Sequence, residues 1–237
     1  MSVEYDQYLS QHIRRISTPA AAQRNAAFFV DHHGKHLPSD KNSAILEIGP
    51  GLGAMIGHLH NHCGYRNIKA VDVCPEVVEV CNKVLPGSTE LTTNTTAFLQ
   101  DRPGEFDLIL MLHVLEHVPK DEVMPLLKAI RRSLREQGKL VVEVPNIAHP
   151  VTGTYIRYHD FTHTVGFTDQ SLSFVLRNSG FQDVMVYGCR IPRKNPLRLI
   201  QRAAQDAVEL FSGLRLRLYL PGQPTNLAIA LGACGTK

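Results

Sequence analysis

From about residue 43 onward the apolar positions fall into two patterns: short unbroken runs, and stripes that recur every three or four residues. Residues 44–48, 68–73, 106–111 and 139–144 are runs of strand length with little polar alternation, as expected of strands covered on both faces. Between the last two, Val123, Leu127, Ile130 and Leu134 put one apolar stripe on a helix. Gly138 is expected to close that helix, and Pro125 is expected in its first turn, where a missing amide proton costs little. Upstream, the alanine-rich residues 19–30, with Phe28 and Phe29, read as a helix laid against the sheet. Downstream, Thr168 is placed to cap a helix running through Leu172, Val175 and Leu176 to Gly180. Residues 181–187 then read as a strand, 196–211 as a helix and 226–231 as a last strand. Counting residues 90–93 as the third strand makes seven. The alternation predicts an α/β fold: a Rossmann-like, mostly parallel seven-stranded sheet with helices on both faces and an antiparallel last strand. Residues 1–40 are expected to form a helical cap segment and 41–237 one domain. That domain contains a long acceptor loop or lid at 145–167 and a basic helical segment at 190–220.

Composition narrows the class. With 237 residues, 43% hydrophobic and 20% charged, the chain can bury one substantial core. Residues 1–11 carry Glu4 and Asp6 and lack the basic start and apolar run of a secretory signal, and no stretch approaches the length of a membrane span. Five cysteines without CxxC spacing suggest neither a disulfide framework nor a zinc site, so a cytoplasmic location is expected. The net charge of +3 does not call for nucleic acid. Its distribution is uneven: from Arg190 to the end there are eight basic residues against two acidic, and the remainder is net negative. Arg193, Lys194, Arg198 and Arg202, with Leu214, Leu216 and Leu218 alternating against Arg215 and Arg217, suggest contact with an anionic substrate or the inner membrane face. The alternative is a solvated helix followed by an edge segment.

Chemistry concentrates after the first strand, where Glu47, Ile48, Gly49, Pro50, Gly51, Leu52 and Gly53 open a helix. Glycines there let a cofactor approach the backbone and tolerate the positive φ of a tight turn. Asp72, at the end of the next strand, is spaced to accept hydrogen bonds from both hydroxyls of a ribose. Gly49, Gly51 and Ala54 also satisfy the G-x-G-x-x-A pattern of dinucleotide oxidoreductases, so the loop alone leaves the cofactor open.

The ordered series ILEIGPGLG, VDVCPE, FDLILMLHVLEHVP and GKLVVEVPN, across roughly residues 40–185, resembles the class I S-adenosylmethionine-dependent methyltransferases. The resemblance implies S-adenosylmethionine as cofactor, held by Glu47, Gly49, Gly51 and Gly53 at its methionine part. It places Asp72, with Val73, at the ribose, Asn94 and Thr95 at adenine, and Leu112 in the wall. Many relatives have aspartate where Asn94 stands.

The segment from His113 to Pro119 follows the fourth strand and, by the same resemblance, borders the acceptor. His113 and His117, four apart, would share a helical face, but their leucine-rich surroundings favour packing and backbone positioning, and no metal is expected. His58, His60 and His62, and likewise His32, His33 and His36, read as polar helix ends. The 145–167 loop brings Arg157, Tyr158, His159, Asp160 and His163 together. Arg157, Tyr158 and His159 are the candidate substrate contacts. His163 is the candidate general base, with Asp160 orienting it or touching the acceptor, and His113 and His159 are competing bases. This loop resembles those of methyltransferases that modify bacterial surface glycans, which implies a sugar hydroxyl as acceptor. A small metabolite such as a quinone precursor or natural-product aglycone, or a catalytically silent binding subunit, are the other readings.

Overall fold

The computed structural model describes residues 9–10, 18–191, 196–221 and 226–237. In chain order its elements are α1 (Pro19–His33), β1 (Ile45–Ile48), α2 (Ala54–Asn61), β2 (Ile68–Asp72), α3 (Pro75–Val84), β3 (Thr89–Leu91), α4 (Thr95–Gln100) and β4 (Phe106–Leu112). There follow α5 (Lys120–Ser133), β5 (Leu134–Pro145), α6 (Gly153–His159), α7 (Asp169–Asn178), β6 (Gln182–Cys189), α8 (Pro196–Tyr219) and β7 (Ala230–Thr236). Short 3-10 turns sit at Gly34–His36 and Leu115–His117.

The seven strands form one sheet in the order β3-β2-β1-β4-β5-β7-β6, with β7 antiparallel to both of its neighbours. The expected Rossmann-like arrangement is therefore present. Successive residues of β1 and β4 go to opposite faces: Ile45, Leu108 and Leu110 join one apolar layer with α1, α2 and α3. Leu46, Ile48, Ile109 and Met111 join the other, with α5 and α7. Burial on both faces explains why these strands read as unbroken apolar runs. The order reverses direction between β1 and β4, and their C-terminal ends open a crevice of the kind where such sheets bind ligands.

Several boundaries differ from expectation. Helix α5 ends at Ser133, and Leu134 already pairs with Phe106 in the sheet. Gly138 belongs to a bulge instead, where Gln137 has φ of 65° and a Cβ on Gly138 would lie 2.8 Å from the Arg135 carbonyl. Pro125 lies inside α5, because the helix begins at Lys120, before the apolar stripe. The last strand starts at Ala230: residues 226–229 are tied to Asn146, whose Nδ2 donates to Asn226 O at 2.6 Å and Ala228 O at 2.8 Å. The Leu–Arg alternation at 214–218 is helical and extends α8 to Tyr219; Arg193 and Lys194 lie outside the described residues. Thr168 caps α7 as expected, in a reciprocal pair with Ser171.

Residues 145–167 are more ordered than a plain loop. Phe167 bridges Asn146, α6 occupies the middle, and Thr164 and Val165 donate to Glu116 O at 2.8 and 3.0 Å. That clamp sets the segment over the end of β4.

Candidate active site

A cavity of about 1110 Å³ occupies the crevice. Single-ligand sites usually measure roughly 300–1,000 Å³, so the volume suits a cofactor with an acceptor beside it. Its floor is the loop after β1, its far wall the segment after β4, and its roof includes Asn25, Phe28 and Phe29 of α1.

The glycine loop is built for close approach. Gly49, Gly51 and Gly53 have φ of 72°, 55° and 71°, a left-handed backbone that side chains resist. Their tasks differ. Gly49 lies against Val114, which a Cβ would strike, while Gly51 faces open space in the cavity. Gly53 packs against α3, where a Cβ would lie 3.2 Å from Cys81 Sγ, so its contribution is to helix packing and the turn rather than to the cavity wall.

Two carboxylates lie beside this loop. Asp72 is fixed at the end of β2 by the Cys74 amide, 2.8 Å from Oδ1, and burial raises its pKa to about 6. Glu47 is almost wholly buried and its Oε2 has no hydrogen-bond partner. Burial, then repulsion from Asp72, raises its pKa to about 8. An orphaned buried carboxylate, a second carboxylate able to accept from a diol, and a side-chain-free loop together fit a cationic nucleoside cofactor. Val73, Asn94, Thr95 and Leu112 line the same region. Asn94 uses Oδ1 to cap α4 through Ala97 N at 3.0 Å, which leaves its amide NH2 as the donor.

The other end of the cavity carries titratable side chains. His113, at φ of 56°, turns between two carboxylates: Nε2 is 3.2 Å from Glu143 Oε1 and Nδ1 is 3.5 Å from Glu116 Oε1. Burial opposes its charge, but the hydrogen bond to Glu143 and the negative charges of Glu116 and Glu143 outweigh that and raise its pKa to about 10. An imidazolium has no lone pair, so His113 is a donor at neutral pH rather than a base. Glu143 is held well below the ordinary carboxylate range: His113 and His33 overcome the opposing effect of burial.

His163 is buried, and its Nδ1 lies 2.8 Å from the Ile156 carbonyl. A carbonyl only accepts, so the neutral ring keeps its proton on Nδ1 and its lone pair on Nε2. Asp160 Oδ2 is 3.8 Å from that same Nε2, which places the carboxylate beside the lone pair. The Ile156 carbonyl thus orients the ring by a hydrogen bond, and Asp160 stands at ion-pair distance on its other side.

The three candidate substrate contacts separate. His159 lines the cavity; Arg157 and Tyr158 do not. Arg157 donates to the carbonyls of His163 and Thr164 and braces the segment from behind, and Tyr158 is 74% exposed.

Sequence patterning missed Glu143 and the histidines that reach it. His33 is fully buried rather than part of a solvated helix end, with Nε2 2.6 Å from Glu143 Oε2 and Nδ1 2.7 Å from the Tyr187 hydroxyl. His36 is buried as well and stacks on Tyr187. A single glutamate inside the apolar run LVVEVP was the available signal.

Sheet order, crevice and carboxylates define a Rossmann-like fold with a site suited to a nucleoside cofactor. More particularly, residues 11–186 match the family described as methyltransferase domain, and the chain belongs to it. It is a class I S-adenosylmethionine-dependent methyltransferase. Among solved structures it is similar to a SAM-dependent methyltransferase of Archaeoglobus fulgidus, with 14% identity, a TM-score of 0.70, and 98% of this chain and 100% of that one covered. A SAM-dependent methyltransferase of Thermotoga maritima gives 15% identity, a TM-score of 0.68, and coverage of 99% and 100%. Phosphoethanolamine N-methyltransferase 2 of Haemonchus contortus, solved with S-adenosyl-L-methionine, gives 14% identity and a TM-score of 0.66 over 100% of this chain and 60% of that one. No curated protein matches the chain in sequence.

Proposed function

We propose that the chain methylates a hydroxyl group of a polar acceptor, a sugar or cell-surface glycan precursor. The observation that carries this reading is the lining of the cavity beyond the cofactor residues. His113, Glu116, His117, His159, Asp160 and His163 converge there, a set of donors and acceptors suited to a polyhydroxylated ligand.

In this reading Asp72 accepts from the ribose hydroxyls. Glu47 and the backbone at Gly49 and Gly51 receive the methionine end, and Asn94 and Thr95 border adenine. The cofactor supplies a methyl carbon on a cationic sulfur, open to in-line displacement, so holding the acceptor oxygen in line is the main task of the protein. His113, a cation set between Glu143 and Glu116, places positive charge beside the acceptor. Nε2 of His163 takes the hydroxyl proton as the new O–C bond forms and the methyl–sulfur bond breaks, and Asp160 contacts the acceptor beside it.

The test is a screen of activated sugars and glycolipids for uptake of labelled methyl, run beside quinone precursors, natural-product aglycones and simple amines. Label on a sugar hydroxyl supports the proposal. Label only on an aglycone, a quinone precursor or an amine replaces the acceptor class.

A further inference from the structure

Glu116 is 2% exposed, and neither of its carboxylate oxygens makes a hydrogen bond. His113 Nδ1, the nearby cation, stands 3.5 Å from Oε1 and reaches only that side of the group. A buried carboxylate without hydrogen bonds is costly, so a second cationic partner is expected. Two imidazoles face it. Ligand atoms of Glu116, His117 and His163 all lie within 4.8 Å of one another, and all three residues line the cavity.

We propose that Glu116, His117 and His163 bind a first-row divalent transition-metal ion, Zn²⁺ or Mn²⁺, at the acceptor end of the cavity. Metal-binding histidines present a lone pair on one nitrogen and donate from the other to an acceptor that fixes the ring. Both rings meet that requirement. For His163 the acceptor is the Ile156 carbonyl, 2.8 Å from Nδ1. For His117 it is Thr162 Oγ1, 2.8 Å from Nδ1. The Thr162 hydroxyl gives its own proton to Asp160 Oδ1 at 2.6 Å, so toward His117 it can only accept. Each ring thereby keeps its lone pair on Nε2.

The frame is rigid where a metal site needs it. Glu116 and His117 lie on the 3-10 turn after β4, and His163 comes from the following segment, whose Thr164 donates to Glu116 O and, at 2.7 Å, to Val118 O. The two rings meet edge to face with centroids 4.7 Å apart. Ligands at about 2.0–2.2 Å from an ion lie nearer together than the 4.8 Å within which these atoms fall, so the triangle tightens on binding. Two imidazoles and one carboxylate suit zinc, manganese or iron better than magnesium or calcium, and three protein ligands leave positions open to substrate. The other histidine cluster, His32, His33, Glu143 and Cys189, is a poorer candidate because both His33 nitrogens and both Glu143 oxygens are already hydrogen-bonded within the protein.

The site deepens the hydroxyl-acceptor reading and rests on it for its catalytic consequence. A hydroxyl bound to the ion loses its proton more readily. The O–H bond breaks with the proton passing to water, the oxygen attacks the sulfonium methyl, and the C–S bond breaks to leave S-adenosylhomocysteine. With an ion in place, Nε2 of His163 is a ligand and no longer the proton acceptor.

The experiment is calorimetric titration of the chelator-stripped full chain with Zn²⁺, repeated with Co²⁺ so that its visible absorption reports imidazole ligation. S-adenosylhomocysteine is titrated into the same samples. One ion per chain is expected, with affinity falling at least about 100-fold in Glu116→Gln, His117→Ala and His163→Ala. Thr162→Val keeps the ligands but removes the His117 acceptor and is expected to weaken binding about 10- to 100-fold. Absence of stoichiometric binding by a wild-type chain that still binds S-adenosylhomocysteine overturns the metal site and leaves the methyltransferase site standing. So does binding that survives in all three ligand variants. Metal bound without S-adenosylhomocysteine supports the site and counts against the cofactor assignment.

Discussion

Glu143 lies 2.6 Å from Nε2 of His33, a residue 110 positions away in sequence, and the same carboxylate holds His113 on its other oxygen. Helix α1, strand β5 and the turn after β4 are therefore joined through one side chain. Replacing His33 by alanine leaves the Tyr187 hydroxyl and one Glu143 oxygen without their partner in a buried setting. A buried group left unsatisfied costs about 1–3 kcal/mol, more when charged. His33→Ala is expected to lower urea-unfolding stability by at least about 2 kcal/mol. A change below about 0.5 kcal/mol would show that the network contributes little.

Asp72→Ala is expected to behave oppositely, damaging binding and sparing the fold. Charge-assisted hydrogen bonds to the ribose contribute about 1.5–3 kcal/mol, a 10- to 150-fold loss of affinity for S-adenosylhomocysteine. Because burial already disfavours the ionised group, its removal should not destabilise the free chain. An unchanged dissociation constant in a folded variant would remove Asp72 from the cofactor site.

These two residues also show how much was legible in the sequence. Asp72 was legible because the glycine loop and the acid share one local βαβ unit, whose spacing is fixed by the strand and helix between them. The strands of the parallel core were legible for the same reason. His33 was not: its location at a helix end matches a solvated terminus, and only the tertiary approach of β5 and Tyr187 buries it. Arg157 sits in the right segment but turns away, because carbonyls of its own loop satisfy the guanidinium. The early end of α5 was hidden because Leu134 continues the apolar stripe of the helix while already pairing with β4.

His163→Ala is expected to lower turnover by at least about 100-fold with the true acceptor, while S-adenosylhomocysteine affinity stays near wild type. Proton abstraction and metal ligation both require Nε2, so this measurement places His163 at the chemistry, and the metal titration separates the two roles. Near-normal turnover would transfer activation of the hydroxyl to His159 or leave it to proximity alone.

Helix α8 carries a separate proposal. It has no buried residue, and Leu197, Ile200, Val208, Phe211, Leu214 and Leu218 are exposed along it at helical spacing. Arg202 is paired with Asp206 and Arg190 with Glu209, so part of the basic excess is neutralised within the protein. Among the described residues no helix is long and apolar enough to cross a membrane. We propose that α8 lies on an anionic membrane surface, with Arg215 and Arg217 as further cationic contacts. Sedimentation with vesicles containing anionic lipid is expected at low salt and should fall at moderate salt. Failure to sediment at low salt would exclude it.

Glu47 and Asp72 make both stability and cofactor binding depend on pH, in opposite directions. Their pKa values in the folded chain are raised, to about 8 from 4.5 and to about 6 from 3.8. Between the ordinary and raised values the folded chain holds protons that the unfolded chain has released, so stability falls as pH rises. The contribution is fully present below about pH 4 and is lost as pH approaches 8, at about 1.4 kcal/mol per unit of displacement before compensation. Thermal melts of the cofactor-free chain from pH 5 to 8.5 should therefore show these groups as a decline toward alkaline pH. A cofactor bearing an ammonium and a sulfonium, and offering hydroxyl donors to Asp72, favours the ionised carboxylates. Its binding should release protons and tighten as pH rises to about 8. Calorimetry of S-adenosylmethionine in two buffers of different ionisation enthalpy measures that release directly. In Glu47→Gln, which cannot ionise, the pH dependence between about 6 and 8 should largely vanish. A dissociation constant that is flat across this range in the wild-type chain would mean that Glu47 is not titrated by cofactor binding.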